Sequence, residues 1–138
     1  MANEPFQARL YGEKLGDYQL VNEWAVARGL TPLLETLLPP IGVIVERAGV
    51  PMCALWCYES YGIGSALIDH AVSSPGLSVE DARGAFGMAI ASCVTLAKSH
   101  GDYGHFRCFT SDACGRVLKS LGWQCTSEPV REYTLTQL

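Results

Sequence analysis

The sequence predicts one α/β domain in which a central sheet carries helices on both faces, and three observations predict it. Strand-like and helix-like segments are interleaved along the 138 residues rather than segregated. The run Met52-Cys53-Ala54-Leu55-Trp56-Cys57-Tyr58 is apolar at successive positions, as suits a central strand covered on both sides. The run from Ala66 to Val72 ends at Pro75, and a serine-capped amphipathic segment then opens at Ser78.

Taken in order, Phe6 to Tyr11 alternates as a first strand, and Gly12 ends it. Asp17 reads as the N-cap of a helix with Leu20, Val21, Trp24, Ala25 and Arg28 at helical spacing, stopped by Gly29. Thr31 as cap and Pro32 at the first helical position predict a short second helix, broken at Pro39-Pro40. Ile41 to Arg47 and Pro51 to Glu59 are β-rich runs around Ala48-Gly49-Val50, which predicts a hairpin. Tyr61 to Gly64 turns the chain into the fourth strand. Ser78, with Glu80 and Asp81 in the first turn, starts a long helix running to about Ser99. Its apolar face includes Ala82, Phe86, Ala89, Ile90, Cys93 and Ala97. Tyr103 to Thr110 predicts a fifth strand, and Ser111 or Asp112 caps a last helix that Gly122 stops. Trp123 to Thr126 and Arg131 to Leu135 predict a final pair of strands. No repeat, low-complexity segment or linker interrupts residues 1–138, which are expected to form a single domain.

Composition narrows the function classes. Hydrophobic residues make up 49% and charged residues 17%, the balance of a globular chain. A net charge of -4 with scattered Lys and Arg argues against a nucleic-acid footprint, which needs clustered cations. No run reaches about 18 apolar residues, so no membrane partner is expected. The opening Met1-Ala2-Asn3-Glu4-Pro5 lacks the basic-then-apolar order of a signal peptide, which predicts a cytoplasmic protein. The six cysteines lie inside apolar runs, and none forms a Cys-x-x-Cys pair. Cys53 and Cys57, about 13 Å apart along one strand, are too far apart to bridge. Buried thiols in a reducing compartment are the expectation, with no metal.

Two segments carry a family resemblance. Ala71-Val72-Ser73-Ser74-Pro75 resembles the end of the fourth strand of the GCN5-related N-acetyltransferase (GNAT) family, where Val-x-x-Pro or Val-x-Pro precedes the acetyl-CoA loop. Leu118-Lys119-Ser120-Leu121-Gly122-Trp123 is similar to the family's late Tyr-x-x-Leu-Gly-Phe signature. The element order also matches, which implies a mixed, mostly antiparallel sheet. A closer likeness is to small acetyltransferase-like proteins of bacteriophages and prophages, through Trp24-Ala25-Val26-Ala27-Arg28-Gly29, Leu38-Pro39-Pro40 and Val72 to Pro75.

The resemblance implies acetyl-CoA as cofactor and transfer of its acetyl group to a small-molecule or protein amine acceptor. Val72, Ser73 and Ser74 would then offer strand backbone to the acyl donor, and Ser78 and Arg83 fall at loop positions. Asp69 and His70 sit where relatives often hold the base, and simple alternation sends them to opposite faces. Tyr58, Glu59 and Tyr61 are placed to line the cleft mouth. A Cys108–His105 thiol mechanism is disfavoured, because odd spacing separates the two across the strand.

The departures from the family pattern are equally specific. Ser78, Asp81 and Arg83 stand where Arg or Gln, Gly, and Gly or Ala are usual, so the glycines that admit a pyrophosphate are missing. The later Gly84-Ala85-Phe86-Gly87 falls inside the helix. Glu80 and Asp81 would oppose a pyrophosphate with like charge. Leu118 replaces the general-acid Tyr, and Ser111 replaces the Asn that often opens the last helix. The alternative is a catalytically inactive descendant of this fold that binds a protein partner, in a phage assembly or host-takeover role. A phage-encoded protein would act in the host cytoplasm.

Overall fold

The computed structural model describes residues 4–126, 131, 133–135 and 137. Its elements are β1 (Phe6–Leu10), α1 (Asp17–Ala27), a 3-10 turn (Glu35–Leu37), β2 (Gly42–Arg47), β3 (Val50–Glu59), β4 (Ser65–Ser73), α2 (Val79–His100), β5 (His105–Arg107) and α3 (Asp112–Ser120). The strands form one sheet in the order β1-β2-β3-β4-β5. All neighbours are antiparallel except β4 and β5, which are parallel. This is the mixed, mostly antiparallel architecture that the family resemblance implies.

Helices cover both faces, which explains why β3 is apolar on both. On one side, Val21, Trp24 and Ala25 of α1 pack on Ile44, Ala54, Trp56 and Val72. On the other, α2 lays Phe86, Ala89, Ile90, Cys93 and Ala97 against β2, β3 and β4, and Leu118 of α3 joins the same core. Gly84 lets α2 approach closely, because a Cβ there would collide with the Phe6 ring. The Arg47 guanidinium lies 4.0 Å from the Phe6 ring centroid and pairs with Asp81 at 2.8 Å, fixing the first turns of α2 to this edge of the sheet.

Several local expectations are corrected. Gly16, at φ 89, is the N-cap of α1, and Asp17 is its first helical residue. The Asp17 carboxylate is occupied elsewhere: it takes two donors from Arg9 at 2.7 and 2.8 Å and the Gly12 and Lys14 N–H groups. Arg9 also donates to Glu46 at 2.7 Å. The helix expected from Thr31 shrinks to the single turn Glu35–Leu37, since two prolines follow too soon for propagation. Ala48 and Gly49, at φ 50 and 77, make the two-residue turn between β2 and β3. Trp123 to Thr126 forms no strand, and the last expected strand, Arg131 to Leu135, lies partly outside the described residues.

Candidate functional site

The sheet opens between β4 and β5. Ser65, Ala66 and Leu67 pair with His105, Phe106 and Arg107, and there the pairing ends. Ser65 Oγ and His105 Nδ1, 3.0 Å apart, pin the narrow end. From Ile68 to Ser73 the same edge of β4 has no strand beside it among the described residues. The fifth strand is therefore shorter than Tyr103 to Thr110 suggests, because divergence ends its ladder.

A β-bulge lies on this open stretch. Trp56 pairs with Asp69 and Ala54 with Val72, so one β3 residue faces two on β4, His70 and Ala71. His70 takes φ 61, a left-handed conformation uncommon outside glycine. Asp69 Oδ1 accepts the His70 N–H at 2.8 Å and supports that conformation. The bulge also cancels the expected alternation. Asp69 shares the α1-side face with its partner Trp56, and the His70 ring lies 5.8 Å from the Tyr58 ring, on that same side. The two candidate bases are thus brought together rather than separated.

Burial, with Asp69 nearby, pushes the Tyr58 hydroxyl up to about 12. Burial and Asp69 likewise push the Cys108 thiol up to about 11, which works against a thiolate nucleophile. His105 is bonded to Ser65. Tyr58 donates to the Leu37 carbonyl at 3.0 Å, Glu59 pairs with His100 at 2.7 Å, and Tyr61 is fully exposed. Burial raises Cys53 to about 12, Cys57 to about 11, and Cys93 as well. Among the described residues no cluster of three or more His, Cys, Asp or Glu could hold a metal. No helix among them is long and apolar enough to cross a membrane.

Beyond the bulge, Val72 buries its side chain under α1. The Ser74 N–H donates to the Met52 carbonyl at 2.8 Å. Alternation of the antiparallel ladder then turns the Ser73 N–H and C=O away from β3, into the opening. Pro75 and Gly76, at φ 84, turn the chain into α2. Ser78 caps that helix through the Asp81 N–H at 3.0 Å, so its hydroxyl is engaged. Arg83 is exposed. Asp81 is neutralised by Arg47, which leaves Glu80 as the exposed carboxylate of the first turn. Gly84 and Gly87 lie within α2 and cannot form a loop. The Ser73 backbone thus faces the opening rather than β3, and no glycine lies in the first turn of α2.

No family model matches the chain, and no curated protein does. Solved structures do. An aminoglycoside acetyltransferase from an uncultured soil metagenomic sample superposes with a TM-score of 0.68 at 10% identity, over 96% of this chain and 95% of that one. A Trypanosoma brucei acetyltransferase gives a TM-score of 0.61 at 13% identity, over 94% and 99%. The N-acetylglutamate synthase of Neisseria gonorrhoeae, complexed with coenzyme A and L-arginine, gives 0.65 at 14% identity, over 91% of this chain and 28% of that one. The chain has the GNAT fold.

Leu118, the residue that the family resemblance sets against a late tyrosine, is 6% exposed in the core beneath α2. Sequence reasoning missed one residue of the opening. Arg28, at the C-cap of α1, reaches the carbonyls of Ser73 and Ser74 at 2.8 and 2.9 Å. Its only local signal was an arginine directly before a helix-stopping glycine.

Proposed function

We propose that the protein is an acyl-CoA-dependent N-acyltransferase whose acyl donor lies along the open edge of β4. The observation that carries this reading is the parting of β4 from β5 after Leu67, which exposes the Ser73 backbone to the opening. Acetyl-CoA would supply the acyl group as a reactive thioester. Ser73 N–H and C=O would hold the arm as a strand neighbour would, and Val72 and Ser74 keep that edge straight through their bonds to β3. At the start of α2, the Val79 and Glu80 N–H groups and Arg83 would meet the phosphates, against the charge of Glu80.

Asp69 is the proposed base, with His70 beside it, taking the proton from the attacking amine on the α1 side of the sheet. Leu118 offers no proton to a departing thiol. A thiol of ordinary pKa, about 8.5, departs readily as its anion, so this loss alone leaves transfer feasible. The acceptor is proposed to be a small-molecule or protein amine. The aminoglycoside acetyltransferase and the N-acetylglutamate synthase are similar in fold and named for such transfers. Calorimetric titration with acetyl-CoA and CoA tests the reading. Micromolar binding is expected, and no heat at millimolar ligand overturns it.

A second reading is favoured by the buried Leu118 and the acidic, glycine-free start of α2. In it the protein keeps the fold without transfer and binds a protein partner, in the virion-assembly or host-interaction setting that the phage-like segments suggest. A folded chain that ignores acetyl-CoA is the outcome that selects it.

A further inference from the structure

Among the described residues, Arg28 is held by backbone alone. Its Nε donates to the Ser73 carbonyl and its Nη2 to the Ser74 carbonyl, across 45 and 46 residues of sequence. Among the described residues, the ion pairs involve Arg9, Lys14, Arg47 and His100, and none includes Arg28. The side chain belongs to an exposed residue. Among the described residues, three of its five N–H donors therefore have no acceptor, since Nε and Nη2 each make one bond.

The position of this contact on the sheet is specific. Ser73 turns its carbonyl into the opening because the neighbouring Ser74 N–H is bonded to β3. An unpaired strand edge presents carbonyls that any extended chain can take up. Here the guanidinium Nε donates to the same Ser73 carbonyl that an amide N–H of such a chain would use. A solvent-exposed hydrogen bond to a neutral carbonyl is modest in net strength, so it can be exchanged for another.

We propose that Arg28 gates the open edge of β4: it occupies the Ser73 and Ser74 carbonyls in the empty protein and releases them when an acyl-CoA pantetheine arm binds. The inference rests on the acyl-CoA reading above and adds to it a competition between a side chain of α1 and the ligand. Occupancy of the gate lowers apparent affinity by the fraction of time the edge is free. The same guanidinium, once released, remains positively charged beside an anionic ligand.

The test follows the Arg28 side chain directly. In the free protein, its Nε–H resonance should show a hydrogen-bonded shift and slowed exchange with water. At saturating acetyl-CoA, both signatures should disappear. An Nε–H that keeps its shift and protection at saturation overturns the gate while leaving acyl-CoA binding intact. As a second measurement, Arg28→Ala should bind S-acetylpantetheine, which carries no phosphate, about tenfold more tightly, as when an edge free about a tenth of the time becomes always free. Equal or weaker binding by the variant overturns the gate. If neither protein binds acetyl-CoA at millimolar concentration, the acyl-CoA reading itself falls, and the gate with it.

Discussion

At the β1 edge of the sheet, all five strand residues pair with β2, and Arg9 bonds to both Asp17 and Glu46 with little solvent access. At the β4 edge, pairing with β5 stops after three residues, and Asp69 and Arg28 bond to backbone groups. The two regions use similar side chains to different ends. A charge matched by an opposite buried charge is costly to release, because its partner would be stranded. A charge matched by a neutral amide or carbonyl near solvent is exchanged at little cost. The charge cluster at the β1 edge therefore holds the fold, and the polar groups at the β4 edge can exchange partners.

The largest effect expected from breaking this contrast is at Asp69. Asp69→Asn should lower the rate of acyl transfer by about 10²–10⁴ while leaving acetyl-CoA affinity unchanged, measured by CoA release and by calorimetry. A full rate in the variant would remove Asp69 from the chemistry.

Next comes the β1 edge. Arg9→Ala strands two carboxylates and should cost about 3–5 kcal/mol in denaturant unfolding, with binding affected only through stability. A loss near zero would show that the cluster does not hold the sheet.

The pH dependence follows from the same cluster. Arg9, through its hydrogen bonds and charge, holds the Asp17 carboxyl below its usual range, against the opposing effect of burial. A depressed folded-state pKa makes this stabilisation complete above the unfolded value of about 3.9 and lost as pH falls below it. Acid titration of stability should therefore show a steep limb below about pH 4 that is flatter in Asp17→Asn. Identical limbs in the two proteins would contradict this account.

Two smaller effects sharpen the reading of the start of α2. Ser78→Ala removes the side-chain cap and should cost about 1 kcal/mol, seen as a lower Tm. Glu80→Gln should lose a few tenths of a kcal/mol of helix stability, because a carboxylate near the N-terminus is favourable. The same change should tighten acetyl-CoA binding about twofold, since like charge is removed from the phosphates. Weaker binding in Glu80→Gln would show that the phosphates lie elsewhere.

Much of the fold was legible, and the reasons are local. Ser78 and Ser111 cap their helices through the N–H three residues on, and Gly29 and Gly122 follow helix ends with φ 70 and 93. Each of these signals is read within one turn of chain. Asp17 misled because an acidic residue before a helical pattern resembles a cap, while its real partner, Arg9, lies on the neighbouring strand. The expected fifth strand was too long because strand propensity does not report where a neighbour diverges.

The sequence by itself determined the succession of strands and helices, the burial of β3 on both faces, and the absence of glycine between Ser78 and Arg83. Only the tertiary structure decided that Asp69 and His70 share a face. Alternation with period two holds while two strands pair residue for residue, and the bulge that breaks it is set by register against β3. The reach of Arg28 to Ser73 and the parting of β4 from β5 are likewise long-range contacts, absent from any local window of the chain. The polar contacts along the open edge of β4 come from α1 and the bulge as well as from the residues that lead to Pro75.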